Sequence, residues 1–170
     1  MTIATLEAKS KEFKNAIQKI TEIIEGTSED ILYIQPSESE WSAMQITSHI
    51  LEAVTFWVAD LEALLVVPGA KWGRNHEHVR RLAAVESSVV AQIKKADAIV
   101  SLNALVPLVE NALKKVQDSD LEKIAPSYNA NFDGKPLSFL IDHLIIKHVT
   151  GHLAQIDKHL AEVQQQITHN

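Results

Sequence analysis

The feature that most narrows the fold of this chain is the spacing of apolar residues toward its C-terminus. From Ile141 the inward-facing candidates read Ile141, Leu144, His148, His152, Ile156, Leu160 and Val163, in steps of three or four. That period marks one face of an α-helix, because the faces of a strand alternate every second residue. The same period recurs upstream. Leu6, Phe13, Ile17, Ile20 and Ile24 trace a first helix that Gly26 ends, and residues 27–40, with Pro36, form a polar connector. Ser42 followed three residues on by Gln45 has the form of a capping box, which opens a second helix reaching about Val67 before Pro68-Gly69 stops it.

After a loop over 71–75, the pattern predicts a third helix over 76–98 with Val79, Leu82, Ala83, Val89, Val90 and Ile93 inward. Ser101 is a candidate cap for a fourth helix, with Leu105, Leu108, Val109, Ala112, Leu113 and Val116 inside. Pro107 lacks a backbone donor and should kink or shift its start. Residues 119–135, with Pro126 and Gly134, read as a connector, and a last helix runs from Pro136, suited to a first turn, to about Gln165. No segment alternates as a strand would. The prediction is one all-α domain over residues 1–170, an antiparallel four-helix bundle, since that length can bury a core of its own.

Composition enters mainly by exclusion. The chain has no cysteine, so disulfides, thiolate-bound zinc, iron–sulfur clusters and a catalytic thiol of its own are ruled out. Its net charge is −6, and the basic pairs Arg80-Arg81, Lys94-Lys95 and Lys114-Lys115 read as solvated faces rather than a stripe that would follow phosphates, so no nucleic-acid partner is expected. The longest apolar run, residues 63–68, is far short of the ~20 residues of a membrane helix, and no signal-peptide pattern opens the chain. The expectation is a cytoplasmic protein without a membrane partner.

Histidine carries the chemical signal. His148 and His152 occupy two positions of the last stripe where the pattern calls for aliphatic side chains, and i, i+4 spacing sets them one turn apart on one face. His49, beside Ile46 and Ile50 on the second helix, lies on or at the border of the core-facing side. Facing helices of a bundle can project such side chains to one interior point and hold a metal there. Equally, a histidine on a half-apolar face can be a hydrogen-bonded core residue. His143, His159 and His169 flank or follow the stripe, while His76 and His78 begin a helix and are expected in solvent. None of the eight histidines has a glutamate three residues before it, and there is no His-Glu-x-x-His; a di-iron carboxylate bundle and the zinc-protease helix are thereby excluded.

Trp41-Ser42 leading into the helix of His49, and Gly134-Lys135-Pro136-Leu137 leading into His148-x-x-x-His152-x-x-Gln155-Ile156, together resemble the DinB-like (DinB/YfiT-like) superfamily of bacterial helix bundles, from about Ser39 to Leu160. The resemblance implies an antiparallel four-helix bundle, one divalent metal ion such as nickel or zinc on His49, His148 and His152, and frequently a homodimer. Members of that superfamily include thiol S-transferases that use bacillithiol, an isomerase that uses mycothiol, and proteins regarded as metal-dependent hydrolases.

Three neutral imidazoles would leave an ion its full charge and an open coordination position, as catalytic sites do. Such an ion activates either a low-molecular-weight thiol, which here must come from a partner molecule, or water. Gln155 could orient a ligand or substrate, and Glu52, three residues past His49, could accept a hydrogen bond from a ligating ring. Gly151 could open space beside the metal or ease helix packing. The expected function is a metal-dependent thiol S-transferase acting on a small-molecule substrate. A metal-dependent hydrolase and a non-catalytic interaction or stress-response bundle stand as alternatives.

Overall fold

A computed structural model describes residues 1–170, apart from the side chain of Ile3. Four long helical segments form the bundle: α1 (Ile3–Gly26), α3 (Ala43–Val66), α6 (Lys95–Leu113) and a last segment made of α7 (Leu137–Phe139), a π-helical stretch (Leu140–Lys147) and α8 (His148–Thr168). Short helices α2 (Glu29–Leu32), α4 (Val79–Ala83) and α5 (Ser87–Val90) lie in the connections. Among the described residues the only β-structure is two isolated bridges, Trp72 with Ser127 and Ile124 with Pro136. The all-helical bundle is the architecture the periodicity predicts.

The expected α1 face is fully inside, since Leu6, Phe13, Ile17, Ile20 and Ile24 are all buried, each contributing roughly 1.5–3 kcal/mol relative to exposure. α1 and α3 each pack against both α6 and the last segment. Contacts at the helix ends give their directions. Lys95 at the start of α6 bonds the carbonyls of Glu25 and Thr27, so α6 runs opposite to α1. Lys115, just past the end of α6, meets Glu62 near the end of α3 at 2.8 Å, so those two neighbours run the same way. Parallel neighbours need a long crossover, and residues 67–94 supply it. α3 runs opposite to α8, and this brings His49 level with His148. The apolar, 19-residue α6 is long enough in principle to cross a membrane; here it turns Ala98, Leu102, Leu105, Val109, Ala112 and Leu113 into the core.

Three expectations are corrected. The helix predicted over 76–98 is broken into α4 and α5, and Val79, Leu82 and Val89 are exposed while Val90 is buried. The cause is tertiary: the side chains of Gln45 and Ser48 donate to the carbonyls of Val85 and Ala84 (2.8 and 2.6 Å), satisfying the backbone where a continuous helix would have bonded it. α6 starts at Lys95, so Ser101 lies inside the helix, and Leu108 is 36% exposed. The last helix is not uniformly α: eight residues before His148 are π-wound, a geometry that tends to occur at functional sites. The capping box stands as expected, Gln45 N–H donating to Ser42 Oγ at 3.1 Å and Ser42 N–H to Gln45 Oε1 at 2.8 Å.

Candidate metal centre

The first two turns of α3, residues 43–50, are buried on every side. Buried polar groups need partners, and three of the four polar side chains there have them. Thr47 donates to the Ala43 carbonyl, and Gln45 and Ser48 reach the crossover. His49 differs. Its Nδ1 is buried without a partner, and its Nε2 lies 3.1 Å from Nε2 of His148. Nδ1 of His148 is also buried and unpartnered, and its Nε2 lies 2.9 Å from Nε2 of His152.

Three ring nitrogens thus converge on one point. An imidazole nitrogen carries either one proton or one lone pair, so Nε2 of His148 cannot make a proper hydrogen bond to both neighbours at once. One cation receiving three lone pairs would resolve the conflict, and separations of 2.9 and 3.1 Å suit ligands on a single ion at about 2.0–2.1 Å. The Nδ1–H of His152 donates to Oε1 of Gln155 at 2.8 Å, which fixes the tautomer and turns its Nε2 lone pair toward the other two rings. Burial, and behind it the neighbouring imidazoles with Arg81 and Arg74, pushes His49 down to about 2. His148 is pushed down to about 3, again chiefly by burial. Burial also lowers His152, against the bond from Gln155. All three rings are therefore neutral near pH 7, as metal ligands must be.

The trio opens onto a cavity of ≈ 700 Å³. Trp41, Trp57 and Phe132 provide aromatic walls, and Arg74, Arg81 and Lys147 bring positive charge. Two loops build the far wall. Trp72 stacks on Phe132 (5.7 Å, 13°), Tyr128 N–H donates to the Trp72 carbonyl at 2.8 Å, and Asn129 Nδ2 donates to the Arg74 carbonyl at 3.1 Å. Gly73 is required there: its φ is +84°, and a Cβ would come within 2.7 Å of Ser127 Oγ.

The remaining candidates fall as follows. Gln155 takes the orienting position beside His152. Glu52 does not reach a histidine; both its oxygens accept from Arg74 at 2.6 Å. Gly151 lines the cavity, and a Cβ there would meet nothing within 4 Å, so close helix packing does not explain it. His76 is exposed, as expected, and lines the cavity, whereas His78 is half-buried, packing against Phe56 with its Nδ1 buried. His143 stacks on Phe139 at the cavity edge.

A second group, Glu40, His159 and Glu162, also gathers possible ligand atoms. Here a lysine already stands beside both carboxylates, although Oε2 of Glu162 is buried without a hydrogen-bond partner. Lys158 lies 3.5 Å from Glu40 and 3.6 Å from Glu162, Ser37 donates to Glu40 at 2.9 Å, and His159 Nδ1–H donates to the Trp41 carbonyl at 2.7 Å. Sequence reasoning missed the burial of His159, the Arg74–Glu52 pair and the position of Arg81. His159 does lie seven residues past His152, two turns on, which was a usable signal. Arg74 sits in a loop, where periodicity is silent.

The sequence pattern of the DinB superfamily matches residues 12–156. Among solved structures, YfiT from Bacillus subtilis, described as a probable metal-dependent hydrolase with an unusual four-helix bundle topology, is similar with a TM-score of 0.77 at 13% identity, over 99% of this chain and 90% of that one. At that identity the likeness is one of fold. No curated protein matches.

Proposed function

The chain belongs to the DinB superfamily, and on that premise we propose that it is a metal-dependent enzyme joining a low-molecular-weight thiol to an electrophilic small molecule, with His49, His148 and His152 holding one divalent cation, nickel or zinc. The observation that carries the reading is the convergence of three neutral, mutually unsatisfied Nε2 atoms at the edge of a cavity large enough for two small molecules. Bound there, the cation would supply Lewis acidity, favouring thiolate over thiol or, in the hydrolytic alternative, hydroxide over water.

The chain's own residues do the rest. His49 approaches from α3 and His148 and His152 from α8, so the ligands come from one side and leave the cavity side free for a reactant. Gln155 holds the His152 ring in its ligating tautomer. Trp41, Trp57 and Phe132 exclude water and set the proximity of the two reactants. In the transfer, a sulfur–carbon bond forms as the electrophile's leaving group departs, and the thiol proton passes to solvent.

The test is a panel of thiols and electrophiles against chain purified without a histidine tag and loaded with nickel or zinc. Conjugation that depends on which thiol is offered, and that collapses on chelation and in His152→Ala, is the expected result. Turnover of esters or amides without any thiol would instead support hydrolysis, which the likeness to YfiT favours. Absence of both activities in metal-loaded protein would move the reading to a non-catalytic bundle.

A further inference from the structure

Charge is unevenly compensated around the cavity. Its cationic side chains are Arg74, Arg81 and Lys147, and among the described residues no aspartate or glutamate lines it. Arg74 is neutralised from behind by Glu52 through two bonds of 2.6 Å. Lys147 pairs with Asp142 at 3.0 Å, a carboxylate it shares with Lys9 at 2.9 Å. Arg81 has no such partner: among the described residues no carboxylate lies within ion-pair distance of it. Its Nη1 donates to the His76 carbonyl at 2.9 Å, and its guanidinium lies 5.9 Å from the Trp41 ring, which in turn lies 5.1 Å from the ring of His49. It is half-buried, so part of its hydration is already lost, and it is near enough to lower the basicity of all three histidines.

From this we infer that Arg81 is an anion-binding residue, and that the small molecule taken by this cavity carries a carboxylate seated on its guanidinium beside the histidine trio. A fixed planar fork of donors matches a carboxylate bidentately. Arg74 already uses both outer nitrogens on Glu52, so Arg81 offers the free guanidinium edge of the cavity, which suits the two oxygens of one carboxylate. Desolvation by the aromatic walls strengthens such a pair relative to one in open water. The inference deepens the proposed function, because it names a recognition group for the thiol's carrier or for the electrophile. Binding of the anion, however, does not require the metal.

That independence sets the experiment. Arg74, Arg80 and Arg81 are the chain's only arginines, so three side-chain Nε–H signals resolve the question by heteronuclear magnetic resonance. Full-length protein, stripped of metal by chelation and dialysed free of chelator, is titrated with succinate and separately with inorganic phosphate. The expected result is a saturable shift of the Arg81 signal with succinate, while that of exposed Arg80 stays still. Affinity should fall about tenfold or more in Arg81→Gln and be partly kept in Arg81→Lys, as loss and retention of a charge-assisted contact require. Circular dichroism of both variants checks that they are folded. Tighter binding of phosphate than of succinate would overturn the carboxylate assignment. Equal succinate affinity in wild type and Arg81→Gln, or no saturable shift of Arg81 by either anion, would overturn the anion site itself. A failure here leaves metal binding intact, and a failure of metal binding leaves this titration intact.

Discussion

His49 and His159 are both almost fully buried, at 4% and 3% exposed, and both touch Trp41, one through its ring and the other through its carbonyl. Each also sits in a cluster with further possible ligands. Yet the two clusters are opposite in kind. Around His159 the ring donates to a carbonyl and Lys158 stands between the two glutamates, although Oε2 of Glu162 is buried without a hydrogen-bond partner. Around His49 only Nδ1 of His152 is answered, by Gln155. Three Nε2 atoms face one another, two Nδ1 atoms are buried without partners, and no carboxylate closes the set. Burial of a histidine is therefore a poor sign of a metal site. What separates a ligand from a core residue is where its lone pair points and whether anything meets it.

The largest effect that could break this contrast is stabilisation by metal. Added zinc or nickel at a hundredfold excess over its dissociation constant should raise unfolding stability by about 2.7 kcal/mol. That gain should vanish in His148→Ala and survive in His159→Ala, as read from thermal or denaturant unfolding with and without the ion. The opposite pattern would exchange the roles of the two clusters. Next in size, His159→Ala should cost about 1–2 kcal/mol in metal-free protein, because it strands the half-buried Trp41 carbonyl and empties a buried position. His49→Ala should cost less, since its ring is already unsatisfied and borders open space; denaturant midpoints of the two variants give the comparison.

Smaller again is the effect of Gln155→Ala. Losing the bond that sets the His152 tautomer should weaken metal affinity about tenfold while leaving the denaturation midpoint of metal-free protein unchanged, as competition with a chelator of known affinity would show. The smallest concerns Lys158→Ala. Its contacts are long and mostly exposed, so neither stability nor metal content should change measurably. A second equivalent of metal bound in that variant would show that Lys158 had been occupying a cation site.

Much of this arrangement could be read from sequence because helical period and helix ends are local. The stripe from Ile141 to Val163 and the capping box of Ser42 and Gln45 depend on residues within a turn or two of each other. The meeting of His49 with His148 and His152 was legible because their stripes imply facing helices and because the pattern around them resembles a known superfamily. The rest depends on long-range contacts. The helix expected over 76–98 gives way because Gln45 and Ser48, on another element, bond the carbonyls at its break. Glu52 turns from the histidines because Arg74, on a loop, offers it a two-pronged partner. Arg81 looks like half of a solvated pair in sequence, and only the crossover's path over α3 brings it to the cavity while Arg80 stays exposed.

Whether three imidazoles share one ion is tested most directly by X-ray absorption at the metal edge of tag-free, metal-loaded protein. The expected result is one ion per chain with three imidazole nitrogens at about 2.0–2.2 Å, and loss of that signature in His49→Ala. An ion ligated by one imidazole and carboxylate oxygens, unchanged in His49→Ala, would contradict it and place the metal at Glu40, His159 and Glu162 instead.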